Sequence, residues 1–341
     1  MLGRTLLRGL LSVGLCLSAS ACEKETPPPA VPVAGLVVES GKLSLYSNRR
    51  GRAVFLDAKD GSSLGTVKTR ALMRGAWSDG RLVIGWDSPS ATDLFGYEMD
   101  GSLPQWRAAG VKRDTIHWID AAHVFAGKTL VDRRTGRPLV QYRVIIPTLS
   151  PDLVLACDDE NRAYGVQPST GSVYWQSGTC GVAVASSGKQ WVRVLPKGLE
   201  VCSLSTGAAE LRADLESRVA RTEPAAGALP LVAMDAERVY VSTERGVEAR
   251  RRKDGAKVWA RDGGGRLAAG FGAVVALRGL ELTILDGASG KPRLHRTLQG
   301  DPAAGVRLAL SEGVLFVRTS RGVTALSLAN GEEVWSKDVE G

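Results

Sequence analysis

A polar residue followed by glycine recurs eight times in this chain: Asp60-Gly61, Asp100-Gly101, Thr135-Gly136, Thr170-Gly171, Thr206-Gly207, Asp254-Gly255, Ser289-Gly290 and Asn330-Gly331. The intervals between these glycines are 40, 35, 35, 36, 48, 35 and 41 residues. Each dipeptide separates two short runs rich in Val, Leu, Tyr or Trp, the pattern of a β-hairpin in which glycine supplies positive φ at no steric cost. In a chain with 40 glycines one periodic series could be accidental, so a second marker is needed. About 20 residues before each glycine lies another turn signal: Ser40-Gly41, Asp79-Gly80, Asp120-Ala121, Pro151-Asp152, Ser187-Gly188, Asp235-Ala236, Phe271-Gly272 and Glu312-Gly313. Two hairpins per repeat mean four strands per repeat. Eight such units of about 38 residues predict an all-β, eight-bladed β-propeller over residues 34–341, a fold that handles sheet edges by radial repetition. A β-sandwich would share the short strands but has no reason to repeat two turn types eight times. The long 48-residue interval holds Glu216 to Gly227, read as a surface loop before blade six.

The segment before the repeats reads differently. Arg4 and Arg8, then an apolar run from Gly9 to Leu17, then Ala19-Ser20-Ala21 have the order of a signal peptide covering residues 1–21. The same cut site resembles a bacterial lipobox, which places a lipid on Cys22. Ala19 stands where such boxes usually carry Leu, so plain secretion is the alternative. Residues 22–33, with Pro27-Pro28-Pro29 and Pro32, read as an extended tether between anchor and body. No later stretch reaches the roughly 18 apolar residues of a spanning helix. The expected address is the periplasmic side of the bacterial outer membrane, or the free periplasm if Cys22 is unmodified.

In three repeats the turn glycine is followed four residues later by Trp: Gly171 and Trp175, Gly255 and Trp259, Gly331 and Trp335. This resembles the quinoprotein-like (PQQ-like) propeller repeat, and the resemblance implies that Trp175, Trp259 and Trp335 pack between blades, where a large ring buries much area. Trp106 is offset by one, while Gly65, Val140, Leu211 and Leu294 occupy the position elsewhere. The family divides into quinone-dependent dehydrogenases and non-enzymatic propellers, among them the BamB-like lipoproteins of outer-membrane barrel assembly. Length, blade number and Cys22 look like the second branch, which implies envelope proteins, including the barrel-assembly complex, as partners. The first branch, a quinone- or small-ligand-binding propeller, is the rival.

Chemistry is sparse. The dehydrogenase branch implies a calcium site, a catalytic Asp and often adjacent cysteines, and no adjacent pair occurs here. The run Cys157-Asp158-Asp159-Glu160-Asn161 offers carboxylates to a hard cation, but reads equally as a solvated loop. His117, His123 and His295 have no ligand spacing, so no catalytic residue, metal or cofactor is expected. Second and fourth strands of a blade run the same way, so Cys157 and Cys180, each ending one, could meet as a disulfide; Cys202 falls inside a strand.

Between second and third strands a base precedes glycine at Arg50, Lys197, Arg245, Arg278 and Arg321. These turns share one face and suggest a basic collar for an acidic partner or anionic head groups, in a chain of formal net charge +8. The alternative is that the turn needs the glycine and the base is merely solvated. The run Arg250-Arg251-Arg252-Lys253 on the opposite face argues against a one-sided field. An exported chain without recognition helices is not expected to bind nucleic acid.

Overall fold

The computed structural model describes residues 36–339, apart from 40, 48–51, 69–73, 79–81, 87–91, 99–102, 112–115, 119–121, 127–128, 142–144, 149–152, 159, 168–169, 171 and 221–229. The expected signal peptide, Cys22 with its tether, and Arg50 lie outside the described residues.

Eight four-stranded antiparallel sheets, each made of consecutive strands, form an eight-bladed β-propeller. Blade one runs from Leu36–Glu39 to Ser63–Lys68, and blade eight from Arg307–Ser311 to Glu333–Asp338. First strands of neighbouring blades approach one another, so they form the inner ring and fourth strands form the rim. The core lies between blades rather than within one cavity. At the closing seam, for example, Leu43, Leu45 and Leu56 of blade one pack against Phe316, Val323 and Ala325 of blade eight. Full burial of each such Leu, Val or Phe side chain contributes about 1.5–3 kcal/mol, and among the described residues each blade is built from consecutive strands, with none exchanged to close the ring.

The two turn series have distinct conformations. Phe271 and Gly272 have φ of 52° and 70°, and Glu312 and Gly313 have 49° and 79°. Two consecutive positive φ values fit the two-residue turn that matches strand twist. In the other series the glycine amide donates to the carbonyl four residues back, as from Gly207 to Ser203 and from Gly290 to Asp286, both at 2.8–2.9 Å.

A register shift then follows between third and fourth strands in every blade. In blade six Arg250 pairs Lys257 and Ala249 pairs Trp259, which leaves Val258 as the extra residue of a bulge. The bulge turns the next side chain into the seam, which is why Trp stands four residues after the glycine.

Trp106 corrects the reading of an offset. It stands opposite Gly96 just as Trp175 stands opposite Gly165, and the additional residue is absorbed before the bulge. Tryptophans therefore occupy the seat in blades two, four, six and eight, alternating with Gly65, Val140, Leu211 and Leu294. Each Trp lies over the turn glycine of the following blade, and its indole N–H donates to the carbonyl just past that blade's third strand. The acceptors are Arg133 for Trp106 (3.0 Å), Leu204 for Trp175 (2.8 Å), Gly287 for Trp259 (3.0 Å) and Ala58 for Trp335 (3.0 Å). At Gly207 a Cβ would stand 2.3 Å from the Trp175 ring, so the close approach requires glycine as firmly as its φ of 69° does.

Candidate partner-binding site

Second-to-third turns and the connections between blades share one face of the disc, because strand direction alternates within each sheet. On that face Lys197, Arg245, Arg278 and Arg321 are all exposed, one in each of blades five to eight. The glycine after three of these bases is fixed by packing against the fourth strand. A Cβ on Gly246 would stand 1.9 Å from the Arg261 carbonyl, one on Gly322 2.3 Å from that of Lys337, and one on Gly198 3.1 Å from that of Ala213. The glycines thus serve the hairpin, while the bases project from it. Arg321 donates to Gln299 Oε1 at 2.7 Å. Exposed carboxylates accompany two of the bases, with Glu244 adjacent to Arg245 and Glu281 opposite Arg278 across the turn, so the face is not uniformly positive.

The basic run on the other face is largely consumed by the fold. Arg250 pairs with buried Glu248 at 2.6 Å, and Arg251 pairs with Asp254 at 2.8 Å. Arg252 reaches blade five, donating to Gln190 Oε1 at 2.6 Å and the Ser187 carbonyl at 3.2 Å. Burial lowers its pKa. Lys253 and Arg251, both exposed, are what the run leaves to solvent, so it opposes the base-turn face less than its composition suggests.

Blade four differs from its neighbours on the base-turn face. Cys157 ends the second strand, Val154–Cys157, and forms a disulfide with Cys180 just after the fourth strand, Val173–Thr179, with Cα atoms 6.2 Å apart. Between them the turn is organised by Asp158. Burial would raise this carboxyl, but bonds from the Arg162 amide, the Tyr164 hydroxyl and the Arg162 guanidinium outweigh it and hold the group at about 2. Asn161, at φ 62°, donates to Thr179 Oγ1 and the Gly181 carbonyl and accepts from the Cys180 amide. Asp158 is therefore committed to this turn, and among the described residues no group of three His, Cys, Asp or Glu is placed to hold a metal ion. Cys202 is a fully buried thiol packed with Trp175 and Trp191, its pKa pushed up to about 11 by burial.

A buried ion pair beside this disulfide left no signal in the sequence. Arg193, 9% exposed, meets Glu200, 5% exposed, through Nε and Nη2 at 2.5 Å, and Arg212 reaches the other carboxylate oxygen at 2.9 Å. Arg193 also donates to the Thr179 carbonyl at 2.9 Å, tying blade five to blade four. Positions 193 and 200 are cross-strand partners, a relation that only the register reveals.

Of the histidines, His295 is exposed, bonds Thr283 Oγ1 at 3.0 Å and lies 3.6 Å from Glu281. His117 and His123 are in blade three. A polar groove of about 540 Å³ separates blades seven and eight and is lined in part by Arg296, Arg321, Thr324 and Ser336.

The fold recurs in solved structures of low identity. The computationally designed Ika8 protein is 13% identical, covering 90% of this chain and 96% of its own, with a TM-score of 0.63. The dihydro-heme d1 dehydrogenase NirN in complex with DHE is 13% identical, covering 92% and 76%, at 0.61. Apo AztD from Citrobacter koseri is 13% identical, covering 88% and 95%, at 0.56. No curated protein matches the chain. The family model described as "Outer membrane protein assembly factor BamB" matches residues 159–341, just over half of the sequence.

Proposed function

The chain belongs to the outer membrane protein assembly factor BamB family, and from that membership we propose that it is a non-enzymatic envelope scaffold in outer-membrane β-barrel assembly. It is held on the periplasmic side of the outer membrane by a lipid on Cys22 and binds other proteins through propeller loops. The observation that carries the reading is the family match over residues 159–341, which contains all four exposed base turns. Electrostatic complementarity of this kind governs encounter more than final affinity. The partner surface that fits is acidic, with scattered basic residues to meet Glu244 and Glu281.

Affinity purification from detergent-solubilised envelope tests the reading. The full chain should recover a barrel-assembly component, and joint reversal of Lys197, Arg245, Arg278 and Arg321 to Glu should cut recovery and its salt dependence. Recovery of no such component would remove the assembly role and leave the fold intact. Stoichiometric binding of quinone and calcium with dye-linked alcohol oxidation would favour the dehydrogenase-like alternative instead. Mass spectrometry of the mature N-terminus decides the anchor: an unmodified Cys22 makes the protein free in the periplasm.

A further inference from the structure

We propose that the rim strand of blade four, Val173–Thr179, is a docking edge to which an extended, uncharged segment of an envelope protein adds as a fifth, antiparallel strand, with a basic residue at its N-terminal end. The inference rests on the protein-binding reading above and supplies the kind of partner.

Every rim strand ends its sheet and presents unpaired backbone donors and acceptors, which proteins normally blunt with proline, charge or bulges. Seven of the eight are blunted by composition. Proline opens the rim strands of blades two, three and seven, and charged residues lie within those of blades one, five, six and eight. The sequence Val-Tyr-Trp-Gln-Ser-Gly-Thr of blade four contains neither. Val173 and Tyr174 are 58% and 57% exposed, a β-branched and an aromatic residue available for cross-strand pairing. The bulge at Tyr174 is shared by every blade, and a second at Gly178 confines an added strand to the residues before it.

The edge is also rigid. Thr179 accepts from Arg193 through its carbonyl and from Asn161 through its hydroxyl, and the disulfide closes the next residue, so little order is left to be imposed on binding. Charge fixes the partner's direction. Arg162 pairs Thr179 in register, and its turn has the sequence Asp158-Asp159-Glu160, net acidic even though Arg162 pairs with Asp158 at 2.6 Å and with Glu160, 71% exposed, at 2.9 Å. Because of the bulge at Gly178, an antiparallel strand begins its pairing at Ser177, and the residue just before it overhangs Thr179 toward that turn.

The test uses the purified full chain and a C-terminally fluorescein-labelled peptide, Lys-Thr-Val-Thr-Val-Thr, read by anisotropy and by amide exchange. Saturable binding that slows exchange at Val173 to Ser177 is expected. Tyr174→Lys and Gln176→Lys should each weaken it about tenfold or more without moving the urea midpoint, as charge on an edge does. Val334→Lys on the rim of blade eight should leave binding unchanged, and the peptide with Glu in place of Lys should bind more weakly. Absence of binding, unchanged exchange at this strand, or equal affinity for the Tyr174→Lys variant would overturn the proposal. Self-association of the native chain that Tyr174→Lys abolishes would overturn it in favour of a second copy. Envelope purification that recovers barrel-assembly components equally with Tyr174→Lys would sink this edge and spare the assembly role. The reverse combination, peptide docking without such recovery, would spare the edge alone.

Discussion

The seam between blades six and seven and the seam between blades seven and eight meet the same structural demand with different side chains. At the first, Trp259 covers Gly290 and its indole donates to the Gly287 carbonyl at 3.0 Å. At the second, Leu294 takes the ring's place over Gly331, too small and too apolar to reach the equivalent carbonyl of Leu328. The bulge residue before it supplies the donor instead: Arg293 Nη1 bonds the Leu328 carbonyl at 2.6 Å, and Nη2 holds Asp286 at 2.5 Å. What recurs at these seams, and at the three others where an indole donates, is thus a backbone acceptor satisfied as it is buried. Tryptophan is one way of meeting it and arginine another. The polar groove of about 540 Å³ lies farther along the same pair of blades, lined by Arg296 and Leu298 and not by Leu294.

Truncating the residues that close a seam should give the largest effects. Trp259→Ala removes both the packed ring and the donor and should cost about 3–5 kcal/mol, read as a lower urea midpoint. Arg193→Ala at the seam between blades four and five should cost up to about 3–5 kcal/mol, because it leaves buried Glu200 with only the largely exposed Arg212 as partner. Arg193→Met with Glu200→Leu should recover most of that loss. If the double replacement stays as unstable as the single one, the pair acts through more than charge compensation.

The glycines sharpen the comparison at the next level. Gly290 and Gly279 have similar φ, 68° and 60°, but a Cβ on Gly290 would stand 2.6 Å from Trp259 whereas one on Gly279 meets nothing within 4 Å. Gly279→Ala should therefore cost only the backbone conformational penalty of about 1 kcal/mol. Gly290→Ala adds overpacking of about 1–3 kcal/mol. Equal midpoints for the two variants would show that the indole yields freely, against the tight seat described for it.

How much of this was legible in the sequence follows from the same contacts. Eight blades could be read because the turn glycines answer a local need, positive φ, that few other residues meet, and because their spacing repeats. The seat of Trp106 was obscured, since counting from Gly101 does not show where the strand resumes register opposite Gly96. Arg293 gave no signal either: it looks like any exposed rim cation until the neighbouring leucine leaves Leu328 without an indole. The bases at Lys197, Arg245, Arg278 and Arg321 were visible as a series, and Glu244 and Glu281 stand beside two of them in the same turns, but the exposure of these groups together on one face needed the fold. Arg252, counted by composition as free charge, is spent on blade five.

The smallest effect expected is the most specific to the arginine seam. Asp286 accepts from Ser289 side chain and amide and from Arg293, and these bonds hold its pKa at about 2. A carboxylate whose folded pKa lies below its unfolded value of about 3.9 contributes stability that is complete above that value and lost as pH falls toward the folded one. Between pH 4 and about 2 the leucine seam should therefore weaken first, since protonated Asp286 no longer orients the guanidinium that satisfies Leu328. The seam between blades four and five, where Trp175 covers Gly207 in a turn that contains no carboxylate, depends on a neutral indole for the same bond and should lack this dependence. Amide exchange of Gly331, whose turn packs beneath Leu294, measured against that of Gly207 beneath Trp175 reads the two seams in one experiment. Acidification should speed the first relative to the second, and Asp286→Asn should remove most of that difference by raising the exchange of Gly331 already at neutral pH. Parallel acid sensitivity at both glycines would mean that the ring loosens as a whole and that Arg293 is not the keeper of its seam.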